Sequence, residues 1–213
     1  MRPAQHYICD EMNVPHFLSG TLLLSMPGIG DPRFERSVIA MCLHNEDGAL
    51  GLVVNNPAPG LTVRTLMQQL DIDPGVTADD VLVMNGGPVE PGRGFVLHSA
   101  DYQSQGTITV TDPTGPVWGL TATLDVLKDI ARGRGPARWL AALGYTGWSA
   151  GQLDGEMTRH GWHVAPGNPA ILFETDITAR WSAAYGQQGI DVGQLSATPG
   201  RALRRYCMTR ALI

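Results

Sequence analysis

Lysine is nearly missing from this chain: Lys128 is the single one in 213 residues. That shortage removes most chemistry built on a Schiff-base lysine, a lysine general base or the lysine of a phosphate-binding loop. Lys128 itself lies in TLDVLKDIAR, where helical spacing puts it on the solvent face. Cysteine is scarce too. Cys9, Cys42 and Cys207 are far apart, odd in number and free of any C-x-x-C, which excludes a disulfide framework and a zinc knuckle and fits a reducing cytoplasm. No apolar run approaches the roughly 18 residues of a membrane-spanning helix. The start, MRPAQHYICDEMNVPHFL, lacks the charged head, apolar centre and small-residue cleavage site of a signal peptide. The expectation is a cytoplasmic protein with no membrane association.

Excess positive charge is also absent. The net charge of -5 argues against a broad polyanion-binding surface. The basic residues are unevenly placed: four of the 15, Arg201, Arg204, Arg205 and Arg210, fall in RALRRYCMTRALI with no acid, leaving 11 against 20 acids in the first 200 residues. No helix-turn-helix signature accompanies them. Direct nucleic-acid binding is therefore expected only as weak, salt-sensitive contacts by that tail.

What is present is ordinary globular composition, 43% apolar and 16% charged, with 26 glycines and 15 prolines spread along the chain as turn punctuation. LSGTLLLSM reads as a buried strand, and SVIAMCLH–NEDG–ALGLVVN as a buried β-hairpin over residues 37 to 55. Thr62 is placed to cap a helix through VRTLMQQL. VLVMN, GFVLHS and TITVT read as strands separated by GGPVEPGR and DYQSQG. TATLDVLKDIAR and then ARWLAAL read as helices, the second with Pro136 in its first turn. GQLDGEMTR reads as a helix, WHVA and ILFET as strands, and ARWSAAYG as a short helix.

Residues 147 to 151, GWSAG, satisfy the G-x-S-x-G pattern of a serine-hydrolase nucleophile elbow. The elbow needs a buried strand leading in and a helix leading out. With ARWLAAL read as a helix, no strand leads in. Asp154, His160 and His163 also lie too close in sequence to serve Ser149 as triad partners. The expected structure is a helix-to-helix corner with Trp148 as a hydrophobic plug.

Several blocks in fixed order, MPGIGDPRFERSVI, HNEDGALGLVVN, NGGPVEPGRGFVLHS, LDVLKDIARGRGPARWLAALGYTGW and GQLDGEM, resemble the YqgE/AlgH family of bacterial cytoplasmic proteins. The resemblance implies one α/β domain of the α+β type, with a bifurcated, partly barrel-like mixed sheet surrounded by helices. It also implies a protein of unestablished activity with a suggested link to transcriptional regulation. In the family pattern the corner is carried by residues matching Tyr145, Trp148 and Gly151-Gln152-Leu153, with no demand for serine. The expected organisation is an N-terminal arm over residues 1–17, the domain over 18–198, and a basic extension over 199–213.

Candidate binding residues lie in loops at the ends of buried strands. MPGIGDPRF offers Gly28, Gly30, Asp31 and Arg33, either as an anion-binding turn or with Asp31 capping a helical turn and pairing with Arg33 or Arg36. His44 and Asn45 enter the hairpin turn, and Asn55 follows the return strand. Gly86, Gly87 and Pro88 permit close backbone approach, for a ligand or for another part of the chain. His98, Ser99 and Asp101 are too close along one strand to form a triad. HGWH has a zinc-like spacing without a third ligand, and Cys42 reads as a core residue. At least two of these three loops, at Gly28 to Arg33, at His44 to Asn45 with Asn55, and at Asn85 to Pro88, are expected to adjoin one concave surface, with Asp31, Arg33 or His44 facing it. The leading expectation is a non-enzymatic protein using no cofactor or metal and acting through a protein or small-molecule partner. The alternative is an enzyme or anion-binding protein assembled from Asp31, Arg33, His44, Asn45 and the Gly86-Gly87 turn.

Overall fold

A computed structural model describes residues 17–159 and 161–195. Apart from Phe17, the anticipated N-terminal arm and the basic extension lie outside these residues, as does His160. The first strand, β1 (Leu22–Ser25), is buried throughout. It leads through a short 3-10 turn (Pro32–Phe34) to the hairpin of β2 (Val38–Asn45) and β3 (Gly48–Val53), whose turn is fixed by Asp47 N donating to Asn45 Oδ1 at 3.0 Å. Along β1 and β2, alternate side chains enter different cores, because successive residues of a strand face opposite ways. Leu22, Leu24, Val38, Ala40 and Cys42 belong to one core, and Leu23, Ile39 and Met41 to another.

The chain continues through β4 (Pro57–Thr62), α1 (Val63–Gln69), β5 (Leu82–Asn85), β6 (Val89–His98), β7 (Thr107–Asp112), β8 (Gly115–Thr121), α2 (Leu124–Ala131), β9 (Trp139–Ser149), α3 (Gln152–Thr158), β10 (Trp162–Ala165), α4 (Pro169–Phe173) and α5 (Arg180–Gly186). Thr62 caps α1 as anticipated, its hydroxyl accepting from Thr65 N at 3.2 Å. The main sheet order is β10-β1-β2-β3-β9-β6-β8-β7, and the sheet does not close into a barrel.

The sheet forks at β9. The inner half of β9 pairs with β5 in parallel (Ala141–Leu143 against Val83–Asn85), while its outer half pairs antiparallel with β3 (Thr146–Ser149 against Gly48–Gly51). β6 holds the other edge of β9. This makes the sheet both bifurcated and mixed, in one α+β domain. Gly86 and Gly87 sit in the crotch. A Cβ on Gly87, whose φ is +150°, would overlap the Tyr145 carbonyl and stand 2.6 Å from Thr146 N. Only a residue without a side chain lets the branches approach this closely.

Two segments differ from the sequence reading. ARWLAAL is strand, not helix: Leu140, Ala141 and Ala142 are all buried, with neighbours on both edges and both faces. A run apolar on both faces carries no period, and here tertiary pairing decides it. ILFET is not a strand. Asn168 caps α4 by accepting from Ala170 N at 2.8 Å, and Pro169 occupies the first turn, where its missing N–H costs nothing. β4 and β8 were not anticipated, and β6 begins at Val89, inside the expected GGPVEPGR loop.

His98 ties β6 to β8. It is fully buried, with Nε2 2.9 Å from Thr121 Oγ1 and Nδ1 2.9 Å from the Ser99 carbonyl. Burial pushes its pKa below the ordinary 6.5, against the opposing pull of the Ser99 carbonyl and Asp101. As pH falls below 6.5, the unfolded chain therefore takes up a proton that the folded chain resists, so stability present above that value is progressively lost. Urea-unfolding midpoints measured from neutral pH into this range should decline in wild type and decline less steeply in His98→Gln. Equal slopes would assign the acid sensitivity elsewhere.

Candidate functional site

Where the outer half of β9 runs into α3, a cleft of about 390 Å³ opens against the loop between β1 and β2. Its floor is the top of the core that holds Leu23, Ile39 and Met41. Phe34, Trp162 and Trp148 form a ladder of edge-to-face rings, with centroids 5.6 Å apart for the first pair and 6.2 Å for the second. The tryptophans are 6% and 8% exposed, and both bury an indole N–H that needs an acceptor. Glu156 supplies it. Its Oε2 accepts from Trp148 Nε1 at 3.0 Å and from Trp162 Nε1 at 2.9 Å, and its Oε1 accepts from Gln152 Nε2 at 3.0 Å. Gln152 and Glu156 are one helical turn apart on α3, so they share a face. Gln152 Oε1 in turn accepts from Ser149 N at 3.1 Å. Partial burial works to raise the Glu156 pKa, but the Trp162 and Trp148 indoles and the Gln152 amide outweigh it and hold the carboxyl below its usual range.

The opposite wall comes from the loop before β2, where Asp31 caps the 3-10 turn. Its Oδ1 accepts from Arg33 N at 3.0 Å, and the carboxylate grips the Arg33 guanidinium with Nη2 2.6 Å from Oδ2. These bonds hold the Asp31 pKa below the ordinary value. Ile29, Phe34 and Pro88 add apolar wall, and Arg159, at the end of α3, contributes a second guanidinium.

The structure thus brings Asp31, Arg33 and Pro88 to one concave surface. Gly28, Gly30 and Asn55 line a neighbouring hollow that also borders Asp31. Asn55 is a clamp there, accepting from Val38 N and donating to the Arg36 carbonyl, both at 2.8 Å, and so fixing Arg36 at φ 53°. Gly86 and Gly87 lie buried against β9 in the fork and line neither cleft nor hollow. His44 is not part of either. It lies six residues along β2 from Val38, about 20 Å at the strand rise, and it accepts from Leu18 N through Nδ1 at 3.0 Å. Asn45 borders a separate shallow face with Ser149 and Tyr145.

The most engaged residues of the cleft, Trp148, Gln152, Glu156 and Trp162, were not among the candidates. Their signal was legible: two tryptophans and a Gln-x-x-x-Glu pair close in sequence ask which acceptor serves the indoles. The expected corner at GWSAG needs correction, since a strand does lead into it and a helix leads out. Ser149 nevertheless lies within the strand, paired with Gly48, and the left-handed residue of the turn is Gly151 at φ 67°. The strained backbone that lifts an elbow serine is not at Ser149. Among the described residues no cluster of three metal-ligating side chains occurs, and His163 is bonded to Gln188 and stacked on Tyr185. No described helix is long and apolar enough to cross a membrane.

Cys42 is buried, and desolvation pushes its thiol pKa up to about 12. A thiol held protonated out of solvent is a poor nucleophile. Iodoacetamide should therefore leave Cys42 unmodified in native protein and alkylate it in urea, as site-resolved mass spectrometry would show. Rapid native labelling of Cys42 would contradict this account.

Comparison with known proteins agrees across most of the chain. The profile of the AlgH-like family matches residues 22–193. A UPF0301 protein of Rhizorhabdus wittichii is 54% identical over 192 residues, covering 90% of this chain and 100% of that protein, and a UPF0301 protein of Novosphingobium aromaticivorans is 51% identical with the same coverage. The solution structure of AlgH from Pseudomonas aeruginosa superposes with a TM-score of 0.71 at 36% identity, covering 95% of this chain and 100% of that one. A crystal structure of a Corynebacterium diphtheriae protein, 19% identical with a TM-score of 0.63, shares the fold; it covers 82% of this chain and 89% of its own.

Proposed function

The chain belongs to the AlgH-like family, and from that premise we propose that it is a cytoplasmic, non-enzymatic binding protein whose recognition site is the cleft between the Gly28–Phe34 loop, outer β9 and α3. Its output would be regulatory, including control of transcription, through a partner that responds to the occupied or empty cleft. One observation carries this reading. The acidic groups that could do proton chemistry in the cleft already serve the fold, Asp31 on Arg33 and Glu156 on two indoles and an amide. Such groups hold a shaped, rigid surface, which suits recognition.

The competing reading, an enzyme or anion site built from Asp31, Arg33, His44, Asn45 and the Gly86-Gly87 turn, has less support. Its members are dispersed among the cleft, the hairpin turn and the fork. Thermal shift of the full chain against a metabolite panel tests the proposal. A binder raises the melting temperature as its concentration passes Kd. One chemical class should do so without being consumed; turnover of the stabilising compound would favour an enzyme instead.

A further inference from the structure

We infer that the cleft takes a small aromatic monocarboxylate, an inference that rests on the cleft being the recognition site. The donors and acceptors of the cleft are unequally engaged. Both carboxylates of the cleft are occupied: Asp31 receives Arg33 N, Nε and Nη2, and Glu156 receives two indole N–H groups and the Gln152 amide. The Gln152 carbonyl receives Ser149 N. Acceptor capacity is thus largely used up, whereas donors remain. Arg33 spends Nε and Nη2 on Asp31 and keeps Nη1. The Arg159 side chain has no hydrogen bond or ion pair among the described residues; its charge acts on Glu156 only at a distance, helping to keep that carboxyl ionised, so its N–H donors remain. A guanidinium has five N–H donors and no acceptor, so the group that completes this cleft must itself be an acceptor.

Charge narrows the choice. Two guanidinium groups and two carboxylates line the cleft, so it is formally neutral and its field does not favour a polyanion such as a nucleoside triphosphate. The local surplus of donors at Arg159 and Arg33 Nη1 suits one carboxylate. Beside Thr146 and Gln152, the uncharged side chains of the lining are apolar, three of them aromatic: Phe34, Trp148 and Trp162, with Ile29 and Pro88. An aromatic ring extends the existing edge-to-face ladder, and the volume of about 390 Å³ suits a body of one or two rings.

The test is a titration of the full chain, labelled with 15N at tryptophan, followed by the indole N–H resonances. Phenylacetate is the probe, with phenylacetamide, phenethylamine and phenyl phosphate as matched arms. Phenylacetate should move the Trp148 and Trp162 signals and leave those of Trp118 and Trp181 in place. The neutral amide, the amine and the dianion should each bind at least about tenfold more weakly, as loss or mismatch of a charge-assisted bond implies. Arg159→Gln should weaken phenylacetate about tenfold while its dispersed indole spectrum reports an intact fold. Equal response to the amine or the amide, or no response to phenylacetate across a millimolar titration, overturns the ligand class. If another compound from the panel then moves these two signals, the recognition site stands; if none does, both readings fall.

Discussion

Replacing Glu156 with alanine should destabilise the protein by about 2–4 kcal/mol, since each buried donor left without a partner costs roughly 1–3 kcal/mol. The substitution orphans the indole N–H groups of Trp148 and Trp162, which are 8% and 6% exposed, and it frees the Gln152 amide that helps to order the strand-to-helix corner. Glu156→Gln keeps one oxygen that accepts from the indoles, so its loss should be less than half as large. Urea unfolding measures both. Tryptophan emission of Glu156→Ala should also shift to the red as the indoles find water. A near-neutral Glu156→Ala would show that the indole bonds do not hold the cleft together.

Gly87→Ala should be at least as damaging, at about 3 kcal/mol or more. Overpacking a tight site typically costs 1–3 kcal/mol, and the positive φ adds backbone strain. The added methyl has nowhere to go: it meets backbone of Tyr145 and Thr146, which is held in the ladder with β6 and β3. With a urea m-value of about 1–3 kcal/mol/M, the unfolding midpoint should fall by roughly 1–3 M. Pro88→Ala, at an exposed neighbouring position, should move it little. Wild-type stability in Gly87→Ala would mean that the fork is looser than described.

The sequence made much of this legible and missed some of it for identifiable reasons. The hairpin of β2 and β3, the cap at Thr62 and the Asp31 turn each rest on local chemistry, and local chemistry is what a sequence displays. The run through Leu140, Ala141 and Ala142 is different. Its edges are taken by β5 and β6, strands remote in sequence, and its faces by two different cores, Leu140 and Ala142 entering one and Ala141 the other, so no local period could mark it as a strand. That one misreading also hid the strand entering GWSAG, and with it the cleft that β9 and α3 build together. Among the candidates, Asp31, Arg33 and Pro88 converge because strand ends bring loops together. His44 does not, because the hairpin carries its turn away from the sheet edge where those loops meet. Glu156 was overlooked because its role depends on two tryptophans brought over it by different strands.

Hydrogen–deuterium exchange of the full chain, with and without a compound that stabilises it, tests the recognition cleft most directly. The account predicts added protection in two segments together, residues 28–34 and residues 145–162, with the hairpin turn at 44–48 unchanged. Protection confined to that turn or to the apolar groove lined by Leu66, Leu70, Leu124 and Leu127, with both cleft segments unaltered, would contradict it.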